Sequence, residues 1–163
     1  MNESDFMRIK CEDFVDCCVG RILCLDVGDK TVGVGVSDER QVIASSVSVI
    51  RRKSMAYDMS ELEKIIKQLK PIAIVYGWPL QTDGSEGGQC EKVEEFIQNV
   101  EIQFDIPLMR WDERFSTKVT TSVLISADMS RKKRKDVIDK IAASYILQGV
   151  LDLLGNLRRV KNA

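Results

Sequence analysis

The chain has 163 residues, 44% hydrophobic and 30% charged, enough for one globular domain and too few for two. Lys plus Arg number 24 against 25 for Asp plus Glu, so binding of a polyanion must rest on local patches. No histidine is present, which removes Ser-His-Asp and Cys-His catalysis and every His-containing zinc site.

The opening stretch, residues 1–19, mixes acids with short apolar pieces and holds too little continuous hydrophobic sequence for a signal peptide or membrane span. It reads as an N-terminal extension. Cys11, Cys17, Cys18, Cys24 and Cys90 make an odd set with no Cys-x-x-Cys spacing, as expected of free thiols in a reducing cytoplasm. Arg21–Val27 carries the unbroken run ILCL and predicts a central strand covered on both faces. Gly28, Asp29 and Lys30 mark a turn, Thr31–Asp38 an antiparallel partner, and Gln41–Ile50 a third strand of the same meander.

Leu62, Ile65, Ile66 and Leu69 share one face of a helix expected over Met59–Leu69, which Pro71 stops. Ile72–Tyr76 is a short apolar strand, and the glycine-rich Gly77–Gln89 reads as a loop. Val93, Phe96, Ile97 and Val100 place a second amphipathic helix, and Pro107–Trp111 a fifth strand. Ser116 suits the N-cap of a helix over Lys118–Ile125. The basic run Arg131–Lys135 then leads into a last helix from about Asp136 to Leu154, with 155–163 as a tail. This order implies an α/β fold with a mixed five-stranded sheet, an antiparallel meander followed by parallel strands joined through helices.

Acids close three of these apolar stretches. Asp26 lies near the end of the first strand, Asp112 and Glu113 at the end of the fifth, and Asp139 near the start of the last helix. Ala142 and Ala143 follow Asp139 on its own face, so the helix could lie close to a sheet. Clustered carboxylates raise one another's pKa, and hard divalent cations such as Mg²⁺ or Mn²⁺ relieve that repulsion. A pair of such ions is the hydrolytic chemistry still open to a chain without histidine. Each acid also has a plainer reading. Asp26 suits a turn, and Asp136 or Asp139 could simply favour a helix start. Asp112 and Glu113 face opposite ways if the strand continues, so one of the two at most points into a cluster.

Four blocks in order, LDVGDKTVGVGVSD (Leu25–Asp38), YGWPLQTDGSEGGQ (Tyr76–Gln89), WDERFST (Trp111–Thr117) and DKIAASYILQGVLD (Asp139–Asp152), together resemble the YqgF/RuvX family. That family is named for Holliday junction resolution and is associated in bacteria with maturing the 5′ end of 16S rRNA. The resemblance spans about Arg21 to Leu154 and implies an RNase H-like nuclease domain over residues 20–154. It assigns catalytic and metal-binding roles to Asp26, Glu113 and Asp139, on a two-metal site of Mg²⁺ or Mn²⁺. Asp112 competes with Glu113 for the third place.

The resemblance also makes Gly28 and Gly33 points of close backbone approach to metal or phosphate. Arg114 becomes a phosphate clamp, against a surface ion pair. Trp78 could stack on a base or plug the core. Lys132, Lys133 and Lys135, within the basic run, stand where they would contact backbone phosphates; Arg51-Arg52-Lys53 and Arg158-Arg159 are weaker patches. The expected substrate is RNA, namely pre-16S rRNA or ribosomal particles, with branched DNA as the alternative and no membrane partner. An ATPase of the actin-like kind shares the Asp-x-Gly entry but needs a second such domain. A non-catalytic nucleic-acid-binding module would have no use for three acids.

Overall fold

The structure, a computed structural model, describes residues 14–16, 19–112 and 130–163. Five strands form one sheet in the order β3-β2-β1-β4-β5. β1 (Ile22–Val27) is antiparallel to β2 (Thr31–Ser37), which is antiparallel to β3 (Ala44–Arg51). On its other side β1 runs parallel to β4 (Ala73–Trp78), and β4 parallel to β5 (Leu108–Asp112). The continuous ILCL run is central as expected, because a strand with helices on both faces has no polar side to show.

Alternation along β1 sorts its side chains between two cores. Leu23, Leu25 and Val27 meet α1 (Met55–Leu69) and α2 (Gly88–Gln103) through Leu62, Val93 and Phe96. Ile22 and Cys24 face the other way, against α3 (Arg131–Lys161), through Ala143, Ile146 and Leu147. Asp26 follows at the same two-residue spacing and so falls on the α3 face.

Several boundaries differ from the sequence expectation, each for a local reason. β3 begins at Ala44 rather than Gln41, because the Asp38 carboxylate accepts hydrogen bonds from the Val42 and Ile43 amides and holds a turn there. Gln41 itself adopts φ 57. Ser54 caps α1 by accepting from the Tyr57 amide, which starts that helix four residues before Met59. β4 continues through Gly77 and Trp78, residues expected in a loop, because Trp78 pairs with Asp112 at the end of β5.

The last helix differs most. Ser130 caps it, accepting from the Lys133 amide, so the basic run forms its first turn rather than a lead-in. It also runs past Leu154 to Lys161, so residues 155–161 are not a loose tail. The Arg158 guanidinium donates to the Phe14 and Val15 carbonyls and to Gln41 Oε1. Gln41 Nε2 donates in turn to the Gly20 carbonyl at 3.0 Å. Phe14 and Val15 join the α3 core, so this part of the expected extension is anchored too. The expected helix over Lys118–Ile125 lies outside the described residues. None of the described helices is long and apolar enough to cross a membrane.

Candidate active site

Asp26 and Asp139 both lie against Gly33. Gly33 stands opposite Asp26 in the β1–β2 register. A Cβ placed on Gly33 would lie 3.0 Å from the Asp139 carbonyl oxygen, 3.6 Å from Asp26 Cβ and 3.7 Å from Ala143 Cβ. One turn along, a Cβ on Gly35 would meet the backbone of Ala143 and Ser144 at 3.0–3.2 Å. β2 therefore presents two glycines as a bed on which α3 lies. The small residue at Ala143 matters as expected, but the glycines opposite it matter equally. Gly33 is an approach point for a helix, not a turn glycine.

Electrostatics give the same picture. Burial pushes the Asp26 carboxyl up from 3.8 to about 6, and the neighbouring charge of Asp139 adds to the shift. The plainer reading of Asp139 loses its basis. With α3 starting at Arg131, Asp139 lies in its third turn, beyond the reach of the helix dipole.

The turn after Asp26 is tied from three sides. Gly28 N donates to the Thr31 carbonyl at 2.8 Å, closing the hairpin. Arg52 grips the same turn twice, through its amide to the Lys30 carbonyl and through Nη1 to the Gly28 carbonyl at 3.0 Å. Its Nε pairs at 2.9 Å with Asp58, a carboxylate only 1% exposed in the first turn of α1. Gln89 Nε2 reaches the Val27 carbonyl, and Lys92 pairs with Asp29 at 2.6 Å. The sequence reading missed Asp58 and misread Arg52 as surface charge; alternation along the end of β3 was the available signal.

A cavity of about 350 Å³ opens beside Asp139, between β3 and the start of α3. A second, of about 520 Å³, is lined by Trp78, Arg110, Glu86, Glu91 and Glu94, and its carboxylates do not suit a polyanion. Trp78 is 4% exposed, within the core, with the Arg110 guanidinium 4.7 Å over its ring. It is a core plug and offers no face to a base.

Asp112 ends β5, half-buried, opposite Trp78. Glu113, Arg114, Ser116 and Thr117 lie outside the described residues. Among the described residues no group of three or more His, Cys, Asp or Glu is arranged to hold a metal. Asp26 and Asp139 are the part of the expected set that the structure brings together. Lys132, Lys133 and Lys135 are all exposed along the first turns of α3, upstream of Asp139.

The family RuvX: Holliday junction resolvase matches residues 20–153. The chain belongs to the RuvX family. A Clostridium botulinum protein named "Putative pre-16S rRNA nuclease" is 46% identical over 134 residues, which are 82% of this chain and 98% of that protein. A Desulforamulus reducens protein of the same name is 48% identical over 132 residues, 81% of this chain and 96% of its own. Among solved structures, T. thermophilus RuvC in complex with a Holliday junction substrate superposes with a TM-score of 0.54 at 11% identity, covering 86% of this chain and 96% of that one. The likeness to RuvC carries the RNase H-like fold, and membership of RuvX carries the expected class, an enzyme that hydrolyses phosphodiester bonds.

Proposed function

We propose that the chain is a divalent-metal-dependent nuclease that trims the 5′ end of a 16S rRNA precursor in the cytoplasm, through Asp26, Asp139 and Glu113. The observation that carries the proposal is that Asp26 and Asp139 flank the same glycine, with Asp26 already short of solvent and under the charge of Asp139. Burial and the charge of Asp139 disfavour ionisation of Asp26, which a hard dication would relieve, so Mg²⁺ or Mn²⁺ fits this donor set. When bound, such ions acidify a water and offset charge on the phosphate under attack.

In this reading the nuclease domain is residues 20–154. Asp26 and Asp139 hold the metal, Glu113 completes the set after β5, and the Gly28 turn and Arg114 sit against the substrate phosphate. Lys132, Lys133 and Lys135 hold the strand upstream. Their position supports that role. Positive side chains at a helix N-terminus oppose its dipole at roughly 0.3–1 kcal/mol each, a cost that bound phosphate would remove.

The test is incubation of the purified chain with a 16S rRNA precursor and, separately, a four-way DNA junction, each with Mg²⁺, Mn²⁺ or EDTA. Trimming of the precursor that EDTA stops is the expected result. Resolution of the junction with an untouched precursor would move the substrate to branched DNA, the reaction in the family's name. No cleavage of either would overturn the nuclease reading.

A further inference from the structure

We infer that the groove between edge strand β3 and the start of α3 seats the sugar and phosphate of one ribonucleotide, and that Asp136 there distinguishes RNA from DNA; the inference rests on the nuclease reading above. Three observations carry it. The first is position. The cavity of about 350 Å³ includes Asp139 in its wall, so whatever fills it lies against the candidate active site.

The second is how the groove is made. The β2–β3 register passes from Val34 opposite Ser48 to Gly35 opposite Ser46, leaving Val47 as an extra residue. This bulge turns Val47 outward, 40% exposed, and Ser46, Val47 and Ser48 all line the cavity. Bulges re-aim a strand beside a site in this way. Ser46 Oγ donates to the Lys140 carbonyl at 2.7 Å, so strand and helix are tied together at the groove's floor.

The third is the chemistry of the wall. Arg51 and Lys140 contribute cations, and among the described residues neither is held in an ion pair. The run Arg51-Arg52-Lys53 is not a single patch. Arg52 turns inward to Asp58, Lys53 lies 4.5 Å over the Tyr57 ring, and Arg51 alone lines the groove. No aromatic ring lines the groove among the described residues, so nothing there can stack on a base. Cations with the hydroxyls of Thr31 and Ser48 instead suit a sugar-phosphate backbone.

Asp136 is the discriminating group. It is an exposed carboxylate directly after five basic residues, and it lines the same groove. A carboxylate repels phosphate and can only accept hydrogen bonds. A ribose 2′-OH donates to it, whereas deoxyribose leaves it unpaired against a phosphate backbone.

The test uses the full chain carrying Asp26→Asn, so that bound strands are not cut, and reads fluorescence anisotropy on single strands of one sequence. The strands are RNA, DNA and 2′-O-methyl RNA. The parent is expected to bind RNA about tenfold tighter than DNA, an ordinary effect of one charged hydrogen bond, with 2′-O-methyl RNA resembling DNA. Adding Asp136→Ala should bring the RNA-to-DNA ratio close to one. Arg51→Ala and Lys140→Ala should each weaken both polymers and lower the salt slope by about 0.7 per lost contact. A ratio unchanged by Asp136→Ala overturns the discrimination. Parental affinity and slope in both cation variants overturn the groove. Cleavage by the chain with Asp26 intact is scored apart, since its absence overturns the nuclease reading while the binding ratios still decide the groove.

Discussion

Replacing Asp26 by Asn should stabilise the metal-free protein. Burial and Asp139 raise the Asp26 pKa from 3.8 to about 6. At 1.36 kcal/mol per unit, keeping this carboxylate ionised in the folded state costs about 3 kcal/mol at neutral pH. The sign follows from proton counting. Between pH 4 and 6 the folded chain holds a proton that the unfolded chain has released, so stability falls as pH rises through that window and levels off above it. Asn keeps the shape and removes the charge, so Asp26→Asn should erase the slope. At pH 7.5 in EDTA it should melt higher by up to about 6–12 °C, given ~2–4 °C per kcal/mol for a domain of this size. The assay is thermal unfolding by circular dichroism from pH 4.5 to 8, with EDTA or millimolar Mg²⁺. Mg²⁺ should raise the wild-type midpoint and leave the variant where it was. A variant with intact helicity that melts at or below wild type across this range would refute the reasoning, because burial and Asp139 would then not be opposing the charge on Asp26.

Gly33→Ala should lower stability by about 1–3 kcal/mol and abolish cleavage, because the new Cβ sits 3.0 Å from the Asp139 carbonyl and forces α3 off the sheet; wild-type melting with wild-type rate would show that the helix has slack there. Arg52→Ala strands the buried Asp58 carboxylate and should cost about 3 kcal/mol in urea unfolding, while Arg52→Ala with Asp58→Asn should recover much of the loss. If the double variant is no better than the single one, the pair is not the source of the effect. Alanine at Lys132, Lys133 and Lys135 together should weaken RNA binding and reduce its salt slope by about 0.7 per contact, with cleavage returning at saturating RNA. Unchanged slope and affinity would place these lysines on a solvated face.

Much of the site could be read from the sequence because it follows from alternation. The run ILCLD fixes a central strand, and two-residue spacing then sends Asp26 to the same face as Ile22 and Cys24. What stayed hidden lies where linear composition misleads. Arg131–Lys135 has no apolar periodicity and reads as a connector, yet Ser130 caps a helix at that point, which moves Asp139 from its first turns to its third. Gly77 and Pro79 bracket Trp78 as loop punctuation, but pairing with β5 overrides them. Arg51 and Arg52 look equivalent as neighbours in sequence, whereas one lines the groove and the other is turned inward to a buried acid.

The position of Asp139 is set in part from far away. α3 is a single helix of 31 residues, about 46 Å long, so its two ends move together unless it bends. Near the middle, the helix backbone from Asp139 to Ser144 lies over Gly33 and Gly35, so close that a Cβ on either glycine would come within 3.0–3.2 Å of it. Nineteen residues beyond Asp139, Arg158 locks the same helix to Gln41 and to the carbonyls of Phe14 and Val15. Gln148 ties it again at Ala44 N and at the Val42 carbonyl. These contacts reach the segment before β3 and the approach to β1, so helix and meander share one register. Asp139 opposes the charge on Asp26, and the two would move apart if their supports were loose. The glycine bed and the distant arginine oppose that separation, and they hold Asp26 and Asp139 together before any cation is bound.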